Sequence, residues 1–242
     1  MSRVRNDLRM STSQLEHLTE LIVVQDAFLA TISEVDPAAP VPWCGTWQVY
    51  DLVVHLAKIH HWAAAQARGT DATSLGRGPF ELEDLYRECA SELRATLIEL
   101  GPDTVGSTLD GRGPASFWRR RQLHETLVHL WDLRTAGGRG LEVRPEVWAD
   151  TVDEVVTVMQ PRQVRMGRLS QLPAPIELAA ADVDRTWRLD AVADGPAVAQ
   201  LRAPASVLAL ILWGRVSPDD RGVAVSGDGD LLRAALSEPL TP

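Results

Sequence analysis

The sequence predicts an α+β protein, a helical bundle followed by a small α/β unit, and three observations predict it. Apolar residues recur at helical spacing through the first two-thirds of the chain, and glycine and proline divide that stretch into segments of helical length. After about Arg165 the pattern changes to short apolar runs separated by turn residues. With 242 residues, 45% of them hydrophobic, the chain has the material for a proper core.

The first helix is expected from Ser11 to about Glu34, with Leu15, Leu18, Leu21, Ile22, Phe28, Leu29 and Ile32 on its apolar side and Ser13 with Glu16 as a capping box. PAAPVPW breaks it. Thr46 is placed to cap a second helix that runs to about Arg68 and ends at Gly69. A third spans about Glu81 to Leu100 and stops at Gly101-Pro102. A fourth covers about Ala115 to Thr135 and ends at Gly137-Gly138. A fifth begins near Pro145, a good first helical residue, and reaches about Met159 before Pro161. Four or five such helices with short connections imply a bundle over residues 1–165. In the remainder, 166–242, PIELAAA and TWRLDAV read as a hairpin and AVAQLRA as a third strand. Pro204 opens the helix ASVLALILWGR, and VAVSGDGDLLRAAL reads as strand, turn and final helix.

Composition excludes several classes. The net charge of −9 repels a phosphate backbone, and the one dense basic cluster, Arg119 to Arg121, is short, so no nucleic-acid partner is expected. All but one of the 24 basic residues are arginine, Lys58 being the exception, a bias without functional weight. The longest apolar run, VLALILW, is too short to span a bilayer and the N-terminus has no apolar leader, so no membrane partner and a cytoplasmic location are expected. Cys44 and Cys89 lie far apart without metal-ribbon spacing and read as ordinary thiols in a reducing compartment. SGDGD fits neither a phosphate loop nor a dinucleotide fingerprint.

The chemistry is concentrated in two helices. In HETLVHLWD, Glu125, His129 and Asp132 fall at offsets of zero, four and seven and so share one helix face with Trp118 and Gln122. In WQVYDLVVHLA, Asp51 and His55 are four apart, and His55 shares a partly apolar stripe with Leu52, Ile59 and Trp62. Each pattern alone also fits a polar helix face in water. If the two stripes face each other across the bundle, His55, Glu125 and His129 form a three-ligand site for a divalent metal such as zinc, with a position open for water or substrate. Asp51 and Asp132 would then accept hydrogen bonds from the ligating imidazoles, or either would itself join the ligands. His17, His60, His61 and His124 point elsewhere and read as surface or packing residues.

The two stretches together resemble the mycothiol-dependent maleylpyruvate isomerase family, whose N-terminal domain is a DinB-like metal-binding four-helix bundle. The resemblance rests on Trp47, Asp51, Leu52, His55, Leu56 and Ala57 after Cys44, on Glu125, His129, Trp131 and Asp132, and on Trp213-Gly214-Arg215 in the C-terminal stretch. Thr46 stands where family members commonly have glycine. The resemblance implies zinc on His55, Glu125 and His129, mycothiol or a related low-molecular-weight thiol as cofactor, and an electrophilic small molecule as substrate. The reaction would be thiolate addition, carried through to isomerisation or stopped as S-transfer. Arg215 is the residue carried over to a catalytic role, as an anion contact, and a helix-end arginine is its plainer alternative. The same ligand set also suits a non-haem iron enzyme, and a non-enzymatic binding or sequestering module is a third possibility.

Overall fold

A computed structural model describes residues 15–189 and 195–241. The helices of the N-terminal half are α1 (His17–Ile32), α2 (Val49–Arg68), α3 (Leu82–Leu100) and α4 (Ser116–Ala136). They form a four-helix bundle in which α2 packs on α3 and α1 on α4, with α2 and α4 also in contact. Its core includes Leu21, Phe28, Leu52, Leu56, Tyr86, Leu93, Leu127 and Leu130, all with virtually no exposure. Ser13, half of the expected capping box, lies outside the described residues.

At α2 the cap differs from expectation. Gln48 and not Thr46 is the N-cap, and its backbone N–H donates to Asp51 Oδ2 at 3.0 Å. Asp51 is therefore spent on the exposed helix start and does not touch His55. Gly69 closes the helix in the left-handed conformation, φ 73°, as its position predicts.

Between α3 and α4 lies a hairpin missed in the sequence, β1 (Val105–Thr108) and β2 (Gly111–Pro114), joined through Leu109-Asp110. Gly106 allows it to sit directly on the end of α2, since a Cβ there would come within 2.2 Å of the Ala67 carbonyl oxygen. Trp118 Nε1 fastens it to α4 by donating to the Ser107 carbonyl at 2.7 Å.

α5 (Pro145–Glu154) starts on its proline and runs through a π turn, Val155–Met159, into α6 (Gln160–Arg165). The expected stop at Pro161 is thus absorbed. The proline occupies the first turn of α6, where its missing N–H costs little, and the wider turn precedes it. α5 packs on α7 (Ala205–Leu212), so part of the segment assigned by composition to the N-terminal half packs with the C-terminal unit. In sequence order α5 is a helix among helices, while a later element, α7, packs on it.

The C-terminal unit is α/β, as the run pattern predicts. Strands β3 (Ile176–Ala180), β4 (Thr186–Leu189), β5 (Ala199–Ala203) and β6 (Ala224–Gly227) lie in the order β4-β3-β5-β6, with β3 and β5 parallel and both outer pairs antiparallel. The last helix, α8 (Gly229–Leu236), is capped by Asp228, which accepts from the Leu231 N–H. No described helix is long and apolar enough to cross a membrane.

Inside the bundle His60 is fully buried. Its Nδ1 lies 2.7 Å from Gln122 Oε1, and its Nε2 lies 3.2 Å from Gln25 Nε2, whose own oxygen accepts from Arg94. An amide oxygen can only accept and an amide nitrogen only donate, so this arrangement selects the neutral Nδ1–H tautomer. Burial accordingly pushes the His60 pKa down to about 4. The unfolded chain takes up this proton near pH 6.5 and the native chain only near pH 4. Stability is therefore whole above pH 6.5 and falls as pH drops towards 4, by about 3 kcal/mol from this group. Urea midpoints at pH 7, 6 and 5 should fall accordingly, and His60→Gln should flatten the decline. An equal decline in the variant would assign the loss to other groups.

Candidate metal centre

Helices α2 and α4 turn their polar stripes towards each other. The His55 Nε2 lies 3.6 Å, and the His129 Nε2 3.3 Å, from the same oxygen, Glu125 Oε1. Ligating atoms of these three residues all fall within 4.8 Å of one another. Tetrahedral zinc with bonds near 2.05 Å would set neighbouring donors about 3.3 Å apart, so the spacing fits an ion with small adjustments. The donor chemistry fits as well, with two imidazoles and one carboxylate.

Hydrogen bonds behind these residues fix which atoms face inward. His129 Nδ1 donates to Asp132 Oδ2 at 2.9 Å, which leaves Nε2 for the centre. Arg121 binds Glu125 Oε2 and also Glu154, which leaves Oε1 for the two imidazoles. Arg215 grips both oxygens of the fully buried Asp132, through Nε at 3.1 Å and Nη2 at 3.0 Å. Its position follows from local structure. Gly214, at φ 69°, reverses the chain after α7, and the Arg215 N–H closes the turn on the Leu210 carbonyl at 2.7 Å, which brings the side chain back to the bundle.

The charges follow from these contacts. Burial alone would raise the Glu125 pKa, but the Arg121 charge and the two imidazoles hold it well below the usual carboxylate range. Burial would lower His129, and Asp132 and Glu125 overcome it to bring its pKa up to about 9. Burial and the Asp132 charge push the Cys44 thiol up to about 11, so it remains protonated at neutral pH.

The three residues open on a cavity of about 640 Å³ between the bundle and the C-terminal unit. Five of the eight tryptophans line it: Trp43, Trp47, Trp62, Trp118 and Trp213. Trp47 packs on the His55 ring with centroids 4.8 Å apart, and Trp213 lies under the Arg121 guanidinium at 5.1 Å.

The structure therefore brings His55, Glu125, His129 and Asp132 together and leaves Asp51 outside. Arg215 lines the cavity, but its guanidinium is engaged by Asp132. His60 and His124 are buried packing residues, and His17 and His61 pair with Asp150 and Glu92. Arg121 and Glu154 were not singled out in sequence. Arg121 lies four residues before Glu125, and that spacing was the available signal. Glu154 gave none.

The Mycothiol maleylpyruvate isomerase N-terminal domain model matches residues 18–134, and the MDMPI C-terminal domain model matches residues 146–234. The chain belongs to the mycothiol maleylpyruvate isomerase family. Two solved structures of the mycothiol-dependent maleylpyruvate isomerase, one of them a His-to-Ala mutant, share its fold. Each has 16% sequence identity and a TM-score of 0.65, and each match covers 87% of this chain and 92% of the other. No curated protein matches. In this member of the isomerase family the cavity draws on both matched domains. His55, Glu125 and His129 come from the first, and Trp213 and Arg215 from the second.

Proposed function

We propose that this chain is a zinc-dependent enzyme that activates a low-molecular-weight thiol of the mycothiol type for attack on an electrophilic small molecule, as an isomerase or an S-transferase in the cytoplasm. The observation that carries the reading is the convergence of two imidazoles and one carboxylate, from two helices, on the wall of a cavity large enough for a small organic ligand. Membership of a family named for a thiol-dependent isomerase supports the thiol. We also propose that the two functional units meet at the connection between α4 and α5, residues 137–144, in place of residue 165.

His55, Glu125 and His129 would hold the ion, and Asp132 and Arg121 would orient the ligating atoms. A bound divalent ion lowers the pKa of a thiol enough to supply thiolate at neutral pH. The tryptophan-lined walls limit water around the sulfur and the electrophile, which strengthens electrostatic effects inside the cavity. Cys44, kept as a thiol by burial and Asp132, does not compete as a nucleophile. Arg215 acts through Asp132 on the His129 ring.

Zinc-loaded protein supplied with mycothiol should isomerise a cis-unsaturated keto acid or form a thioether with a generic electrophile, and chelation should abolish either product. Tight binding of thiol and electrophile without product would make the chain a binding module. Asp132→Asn weakens the contact to His129 and removes the charge opposite Arg215. It is expected to raise the zinc dissociation constant by about 10- to 100-fold, read by competition with a chromophoric chelator. An unchanged constant would mean that His129 is oriented without Asp132.

A further inference from the structure

We propose that the electrophile taken by this cavity is a flat, largely apolar molecule, aromatic in its body, with an anionic group at one end. The indole wall would hold the body, and Arg162 and Arg168 would hold the anion. This deepens the thiol-enzyme reading and rests on it for the word electrophile.

Several polar groups along the wall are already committed, while the buried Trp213 Nε1 is a donor without a partner among the described residues. Gln122 accepts from His60, Arg121 is shared between Glu125 and Glu154, and Arg215 is held by Asp132. A small, wholly polar substrate would leave most of the indole surface uncovered. A hydroxyl-rich molecule would leave most of its hydroxyls without partners along the indole wall. A flat apolar body meets no such cost, and indole faces and edges offer it stacking and edge-on contacts. Trp62 already stands edge-on to Trp118, centroids 5.1 Å apart and planes at 88°.

Two of these indoles are left in water. Trp43 is 60% exposed and Trp62 36%. Trp43 also sits at φ 70°, a conformation that a bulky residue rarely adopts and that recurs where a ligand is clamped. Its loop is pinned, with the Val41 N–H on the Trp47 carbonyl at 2.9 Å and the Cys44 N–H on the Val41 carbonyl at 3.3 Å.

The anionic end follows from charge. Of the four arginines on this cavity, Arg121 and Arg215 are neutralised by carboxylates. Arg162 donates Nε to the Leu109 carbonyl at 3.2 Å, and neither it nor Arg168 pairs with a carboxylate among the described residues. Two unpaired guanidinium groups beside an apolar wall select a carboxylate or sulfonate attached to an apolar body.

Isothermal titration of the full chain with 2-naphthoate, 2-naphthamide and maleate tests this, on the protein as purified and after chelator treatment. Naphthoate is expected to bind at least about tenfold more tightly than maleate in both preparations. Arg162→Gln with Arg168→Gln should weaken naphthoate about tenfold and leave naphthamide unchanged, so the amide also reports that the variant is folded. Arg168→Gln alone should show part of the loss without disturbing the Leu109 contact. Trp62→Ala should weaken both naphthyl ligands. Maleate binding as tight as naphthoate, or a double variant that keeps its naphthoate affinity, would overturn the proposal. So would loss of naphthoate binding on chelation, which would put the carboxylate on the metal. Metal content and thiol binding measured on the same samples separate the two readings. Naphthoate binding as expected in a protein that takes neither metal nor thiol would sink the enzyme reading and leave the recognition site standing.

Discussion

His55→Ala is expected to lower zinc affinity by well over 100-fold and to remove metal-dependent thiol chemistry with it. Loss of an outer hydrogen-bond partner costs about 10- to 100-fold, and loss of a ligand costs more. His55 is the only one of the three candidate ligands on α2. Without it, Glu125 and His129 remain as a pair about one turn apart on α4, and among the described residues no third donor completes the group. The variant also separates metal binding from folding. The His55 side chain is about one-third exposed and lies on the cavity wall against Trp47, and after its truncation Glu125 keeps Arg121 and His129 as partners. The metal-free variant should unfold within about 0.5 kcal/mol of the metal-free parent. Elemental analysis and equilibrium dialysis read the first effect, and denaturant melts the second. Near-stoichiometric zinc retained by the variant would remove His55 from the site.

Much of this was legible in the sequence because it depends on periodicity. The helices α1 to α4, the three strands β3 to β5 and the α7 helix all announce themselves by apolar spacing and by glycine or proline at their ends. The ligand set was legible because residues four apart on a helix must share a face, as Glu125 and His129 do. Spacing could not tell whether those faces meet. Distant residues decided the rest. Asp51 and His55 have the same spacing as Glu125 and His129, yet Asp51 caps α2, because the neighbouring Gln48 N–H was the nearer partner. His60 and His61 are adjacent in sequence, and only the packing of α1 and α4 distinguishes the buried hydrogen-bonded ring from the one at Glu92. The β1–β2 hairpin carried a signal in Asp110-Gly111, overlooked because its strands are four residues each and poor in apolar side chains. The tryptophan wall had no local signature, since its five members come from the loop before α2, from α2, from α4 and from the end of α7.

Arg121→Met should cost about 3 to 5 kcal/mol of stability, the usual effect of stranding a buried charge. The Arg121 side chain is 4% exposed and that of Glu154 2%, and the guanidinium is Glu154's partner as well as that of Glu125. Methionine keeps an apolar side chain of similar length and deletes the charge that stands over Trp213. Arg121→Lys should lie between the two, because a single ammonium cannot present two parallel donors to carboxylates on two helices. Adding Glu154→Gln to Arg121→Met removes one of the two carboxylates left without Arg121 and should recover part of the loss, since the cost comes from unpaired buried charge. The double variant does not restore the site. Glu125 would still lack the charge that holds its carboxyl ionised and the donor that reserves Oε1 for the two imidazoles, so zinc affinity should remain depressed while the melt partly recovers. Denaturant midpoints and zinc affinities of Arg121→Met and the double variant, taken together, would separate Arg121's part in joining α4 to α5 from its part in presenting Glu125. If affinity and stability recovered in step, Arg121 would act on the site only through the fold.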